Sequence, residues 1–512
     1  MRAALPLAGA LLAGLLLADP SPVLAQKRPP SPKAAAQASP QASPHASPHA
    51  SPHKNPLEEQ AMVLLGDAEV LEKRGKLDEA IQLTERAVAL RERVFGQSHA
   101  LVAATIRLVA DRYEKKQAYG NAIPLRERAL LIIEKEHGQD SVQVMYAVEE
   151  IGRTYLKAGD ATRALKNFER ALKMAEQRRT RPTDTSNVPR LIHEIADALT
   201  AKGEFAKAEE NYLETLRLLE LGGEGKKPMV AFALTDLGAL YRKQKNYPKA
   251  IEVLERSLKL LVAYWRDANF QVLSAMNDLA GTYVTVGDLG RAEPLYARIV
   301  EIHEKSDDES ASFGTALFNL AFVLDEKGDI SRAEPLYRRS QEIREKHFPP
   351  GHIEIARSKL GLGRLLLTKG ALSDAKPLLL EAFDVWEKTH GAESREVAGP
   401  LAVIGELHRK TGALALAETL VTRALAINEK AHGADDPSTA DARMSLGRIV
   451  ETRGDPARAE QLYQRALGAR EKTFGKDHPA VAESLFKLAE LQRRKGDHAS
   501  ADRGYARAIA VL

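Results

Sequence analysis

The chain has no cysteine among its 512 residues, so disulfides, thiolate nucleophiles and cysteine-ligated metals are excluded at the outset. Histidine is the next residue type that could do chemistry. His193-Glu194 lacks the second histidine, four residues on, that would make a zinc-binding helix. His45, His49 and His53 recur every four residues and could loosely chelate a transition metal, but nothing around them fixes a ligand geometry, and they read as incidental to a repeated tetrapeptide. His137, His390 and His432 each precede a glycine at the end of a helix, where a charged imidazole complements the negative end of the helix dipole by about 0.3 to 1 kcal/mol. Gly222-Gly-Glu-Gly-Lys-Lys227 superficially resembles a phosphate loop but lacks both the preceding strand and the spacing, and reads as a turn. No catalytic residue, cofactor site or metal site is therefore expected, and the chain is not read as an enzyme. A site assembled in a groove from distant residues is the lesser alternative.

The elements that would position any site are set by composition. Hydrophobic residues make up 44% and charged residues 28%, which is a globular balance. The formal charge of +4 belongs entirely to residues 1–56, whose basic groups are Arg2, Lys27, Arg28, Lys33 and Lys54 and whose one acid is Asp19. The rest of the chain is neutral, without the electrostatic footprint of a nucleic-acid binder.

Arg2 followed by the Leu-rich run 3–18 and by Val23-Leu24-Ala25 has the layout of a secretory signal peptide. Cleavage is expected after Ala25, leaving no integral membrane span; the run is short of the roughly 20 apolar residues that a bilayer needs. The alternative is an uncleaved segment that tethers the chain to a membrane. Residues 26–56, rich in Pro, Ala, Ser and His, cannot bury enough apolar surface to offset their ordering entropy and read as a disordered linker. Residues 57–512 then form the folded region.

In that region one alanine returns at Ala80, Ala122, Ala164, Ala208, Ala250, Ala292, Ala333, Ala375, Ala417, Ala459 and Ala501, mostly 42 residues apart. Twelve residues before each stands Ala or Gly, from Ala68 to Ala489. Five before it, nine copies carry glycine; Gln117 and Lys245 are the exceptions. Small residues on two facing helices let the backbones approach, and the glycine supplies a left-handed residue that ends the first helix. The unit is thus a tight antiparallel helix pair. One pair cannot bury its own apolar face, so eleven stacked copies must make the core.

Leu237-Gly238-x-x-Tyr241, Ile151-Gly152-x-x-Tyr155 and Leu279-Ala280-x-x-Tyr283, each followed by the junction alanine, resemble the tetratricopeptide repeat. The 42-residue period and the segment Glu471-Lys-Thr-Phe-Gly-Lys-Asp-His-Pro-Ala-Val-Ala482 are similar to the kinesin-light-chain variant. The resemblance implies an all-α, right-handed superhelical solenoid of about eleven helix pairs, with first helices lining a concave groove. On those helices the positions three before, two before and one after the small central residue point away from the partner helix. The groove residues expected to contact a partner are Asp236, Asn277, Asp278, Phe318, Asn319 and Phe322, with Arg242 later on its helix facing acidic groups. Family members often carry paired asparagines just before this step, where they bond an extended peptide, and Asn277-Asp278 and Asn319 fit best. Phe318 and Phe322, four apart, serve equally as an aromatic anchor pocket or as packing against a neighbouring helix.

The expected function is an exported, periplasmic or secreted, protein-interaction scaffold that binds a protein or extended peptide in its groove. An architectural role, with self-association through an uncapped C-terminal end, is the alternative.

Overall fold

The structure, a computed structural model, describes residues 55–178, 187–265, 269–306 and 309–511. The leader, the Pro-rich segment with its histidines, and residues 179–186, within the one 44-residue interval between junction alanines (Ala164 to Ala208), lie outside the described residues. Among the described residues there are 22 α-helices and no strand, as the small-residue periodicity requires.

The chain divides into two units, separated between Tyr264 and Trp265. In the N-terminal unit the helix pairs are α1 (Pro56–Lys73) with α2 (Leu77–Phe95), α3 (Ala100–Lys115) with α4 (Tyr119–His137), α5 (Val142–Lys157) with α6 (Ala161–Gln177), α7 (Val188–Lys202) with α8 (Phe205–Leu221), and α9 (Lys227–Lys243) with α10 (Tyr247–Trp265). In the C-terminal unit they are α11 (Phe270–Thr285) with α12 (Leu289–Lys305), α13 (Ala311–Glu326) with α14 (Ile330–His347), α15 (Ile353–Lys369) with α16 (Leu372–His390), α17 (Ala398–Lys410) with α18 (Leu414–His432), α19 (Pro437–Thr452) with α20 (Pro456–Phe474), and α21 (Pro479–Arg494) with α22 (His498–Val511).

The landmarks do what their sizes suggest. All eleven junction alanines are buried. Opposite them the central small residue lies so close to the second helix that a Cβ on Gly152 would stand 2.6 Å from the Phe168 ring, and one on Gly447 would stand 2.4 Å from Tyr463. The turn between paired helices has one form. In copy three the Gly159 amide donates to Leu156 O at 3.0 Å and the Asp160 amide to Tyr155 O at 2.9 Å, which closes the helix around a left-handed Gly159, φ 83°. The Asp160 side chain then accepts from the Arg163 amide and caps the second helix.

Successive copies are also joined by polar contacts that the sequence reading did not foresee. Eleven residues after the junction alanine, Arg344, Asn428 and Arg470 each donate to a backbone carbonyl at the start of the next copy: to Glu354 O at 3.1 Å, Ser438 O at 3.0 Å and Ala480 O at 2.7 Å. Between copies the chain enters the next first helix through an N-cap that is histidine in three cases. His99, His352 and His478 each accept a backbone N–H through Nδ1 and stack on Phe95, Phe348 and Phe474, with ring centroids 4.2 to 4.6 Å apart. His137, His390 and His432 stand at the last position of α4, α16 and α18, each before a glycine of positive φ.

Candidate functional site

The first helices of each unit form a wall, and the two walls differ. In the C-terminal unit two of the first helices are packed on every side: residues Phe313 to Asp325 of α13 are buried without a break, as are Ala398 to Leu407 of α17. The unit also curls onto itself, since a Cβ on Gly287, just past the end of α11, would stand 3.2 Å from Pro479 at the start of α21. In the N-terminal unit the wall has an open stripe. Leu101, Ala104, Leu108 and Asp111 on α3 are exposed, and so is Tyr146 on α5, with Leu108 and Tyr146 each 40% accessible. Helical spacing makes these one face.

Charged residues flank that stripe and pair from copy to copy. Arg107 Nε donates to Glu150 at 2.9 Å and Arg153 Nε to Glu194 at 2.6 Å, while Glu149, buried, is held by Arg153 and Arg190. At the next step His193 and Asp197 occupy the positions that Arg107 and Arg153 hold in their copies. His193 and Asp197, one turn apart on α7, meet Asp236 of α9: His193 Nε2 lies 2.9 Å from Asp236 Oδ2 and 3.9 Å from Asp197 Oδ1. Tyr212 of α8 donates its hydroxyl to Asp197 Oδ1 at 2.5 Å and sets its ring edge-on to the imidazole, centroids 5.4 Å apart. Burial alone would lower the His193 pKa, but the charges of Asp197 and Asp236 outweigh it and hold the imidazole protonated to about 9. Burial, with Asp236 beside it, raises Asp197 to about 6. The Tyr212 hydroxyl is raised far above its usual range, first by burial and then by Asp197.

Of the residues expected to contact a partner, Asp236 and Arg242 lie in the N-terminal unit and are partly exposed; Asp236 belongs to the histidine cluster. Asn277 and Asp278 on α11 are also partly exposed. Asn319 is buried, and its Nδ2 donates to Asn277 Oδ1 at 3.0 Å. Phe318 and Phe322 are fully buried. Phe318 meets the Tyr337 ring edge-on at 5.2 Å, and Gly361 leaves room for it: a Cβ there would come within 2.8 Å of the Phe318 ring. Phe322 lies under the Arg364 guanidinium, 5.4 Å from ring centroid to Cζ, and Arg364 bonds Asp325 and Glu326 at 2.5 Å each. Burial next to Asp325 raises Glu326 to about 7 despite Arg364.

The cluster was within reach of the sequence. His193, Asp236 and Asp197 occupy the positions three before, two before and one after the central small residue of their copies. A zinc-binding helix would carry a second histidine at the place where Asp197 stands, with its ligands on one helix; here the third member comes from the next repeat.

Stacked helix pairs, with a wall of first helices that bears an apolar stripe and paired charges, define an all-helical repeat scaffold. The chain belongs to the tetratricopeptide repeat family. A model of that description matches residues 113–177, 188–261, 271–346, 396–472 and 458–512, and a second matches residues 68–101 and 355–396. No curated protein matches. Among solved structures, RapI in its apo form is similar over 72% of this chain and 98% of its own, at 13% identity and a TM-score of 0.56. BtubC (BKLC) from P. vanneervenii is 22% identical over 45% of this chain and 90% of its own, with a TM-score of 0.39. A kinesin-light-chain-type protein of Podosopora anserina with nearly identical TPR-like repeats is 21% identical over 40% of this chain and 96% of its own, with a TM-score of 0.32. At 13% identity the likeness to RapI is one of fold. Among the described residues no helix is long and apolar enough to cross a membrane.

Proposed function

We propose that the protein is an exported scaffold that captures a protein or an extended peptide on the first-helix wall of its N-terminal unit, and that it performs no chemistry. The observation that carries this reading is the open stripe of Leu101, Leu108 and Tyr146, which places apolar side chains at solvent on a rigid wall. Preformed helices present such groups with little ordering cost, which favours capture of an extended segment. Arg242, on α9 of the same unit, is a further contact in this reading; Asn277 and Asp278, on α11, are contacts proposed for the C-terminal unit by itself. Export rests on the charged, Leu-rich leader and implies the periplasm of a Gram-negative cell, or the exterior otherwise.

Affinity capture of the mature protein from its own envelope fraction tests the reading. Leu108→Asp combined with Tyr146→Asp changes two exposed side chains and should leave helicity unaltered while removing the captured partner. Recovery of the same partner at the same yield by this variant would exclude the stripe as the binding surface.

A further inference from the structure

The step between copies four and five departs from the Arg-to-carboxylate pairing of the two steps before it. Among the described residues, His193, Asp197 and Asp236 are the one group of three histidine or acidic side chains whose donor atoms all lie within 4.8 Å of one another. We propose that these three side chains form a binding site for a divalent transition-metal ion of the Zn2+ class, joining α7 to α9.

One imidazole and two carboxylates are a donor set suited to such an ion. Metal to ligand distances of about 2.0 to 2.2 Å place tetrahedral donors roughly 3.4 Å apart. The observed separations from His193 Nε2, 2.9 Å to Asp236 and 3.9 Å to Asp197, bracket that value, so small side-chain rotations suffice. His193 Nε2 is itself a buried atom without a hydrogen bond of good geometry, although Asp236 lies close to it. That is the condition of a ligand atom whose approach to its neighbour is set by charge rather than by N–H direction.

Charge balance favours the ion as well. A divalent ion with a neutral imidazole balances the charge of the two carboxylates. The nearest other acid on the wall, Glu194, is engaged by Arg153 at 2.6 Å. Tyr212 supplies the outer support that metal carboxylates use, since its hydroxyl fixes Asp197 Oδ1 and its ring fixes the imidazole plane. The side chains of all three ligands are partly exposed, although the donor atoms His193 Nε2 and Asp236 Oδ2 are themselves buried.

The test uses the full mature chain, stripped with a chelator and titrated with Zn2+ by calorimetry, with Co2+ as a spectroscopic probe. Because His45, His49 and His53 can take up metal loosely, the reference protein carries His45→Gln, His49→Gln and His53→Gln. It should bind one equivalent of Zn2+, and Co2+ should give the visible absorption of a tetrahedral nitrogen and oxygen site that Zn2+ then bleaches. Asp236→Asn, nearly the same shape, should weaken Zn2+ by more than about 100-fold, and Tyr212→Phe by about 10 to 100-fold. Absence of that equivalent in the reference protein, or Zn2+ affinity unchanged by Asp236→Asn, overturns the site. The Co2+ spectrum of the reference protein decides the matter even where the variant does not fold.

Discussion

A left-handed residue ends the first helix in each of the eleven copies, and in two of them a side chain has to tolerate it: Gln117 at φ 60° and Lys245 at φ 59°. For an L-residue that conformation costs roughly 1 to 2 kcal/mol, while glycine there forfeits some of the gain through its freedom in the unfolded chain. Gln117 is exposed, so its replacement disturbs nothing else. Gln117→Gly should stabilise the α3–α4 pair by about 0.5 to 1 kcal/mol, read as slower native-state hydrogen exchange at those helices. Faster or unchanged exchange would show that the side chain contributes more than its strain costs. The glycine pattern, including these two exceptions, was legible because it follows from backbone geometry alone. The histidine cluster was legible only to a comparison across repeats, because its three members are unremarkable one at a time and meet only when α7 and α9 are laid side by side.

At the scale of helices, the joints between copies rest on polar groups that vary from joint to joint. The donors Arg344, Asn428 and Arg470 share a position with Ile133 and Leu261, so no residue type marks it. Sequence periodicity finds positions that need one size and overlooks positions that admit several solutions. His478 is a second such group. It caps α21, stacks on Phe474 and packs beside Gly287 at the end of α11, and burial, with Arg470 nearby, lowers its pKa to about 4. The unfolded chain protonates this histidine near 6.5, whereas the folded one does so only near 4. Between those values the unfolded state binds more protons, so stability falls as pH falls and is fully present above 6.5. The difference corresponds to at most about 3 kcal/mol at 1.36 kcal/mol per pKa unit. Urea melts of the C-terminal unit followed by hydrogen exchange should therefore weaken between pH 6.5 and 4, and His478→Asn, which keeps a cap acceptor, should flatten that slope. An equal slope in the variant would assign the pH dependence to other groups.

At the scale of the whole molecule, one repeat pattern yields two kinds of wall. The repeat landmarks specify that helices pair and stack; how tightly a stack curls depends on small differences at every joint, which no single position records. In the C-terminal unit α21 comes against α11, and Phe318, Asn319 and Phe322 are packed by the helices next to them in the stack, whereas α3 and α5 of the N-terminal unit keep an open stripe. Periodicity could not separate those outcomes, since the same spacing serves a lining residue and a packed one. Stability in such an array is close to a sum of pair and neighbour contributions, so damage should stay local. Gly152 and Gly447 allow a direct comparison, because each lies against an aromatic ring of its own second helix: Phe168 in copy three and Tyr463 in copy ten. Gly152→Ala and Gly447→Ala each force that ring aside, at about 1 to 3 kcal/mol. Hydrogen exchange should then accelerate in copies two to four for the first variant and in copies nine to eleven for the second, with the rest of the chain unaltered. Uniform acceleration along the whole chain in either variant would mean that the repeats unfold as one cooperative body rather than as neighbours.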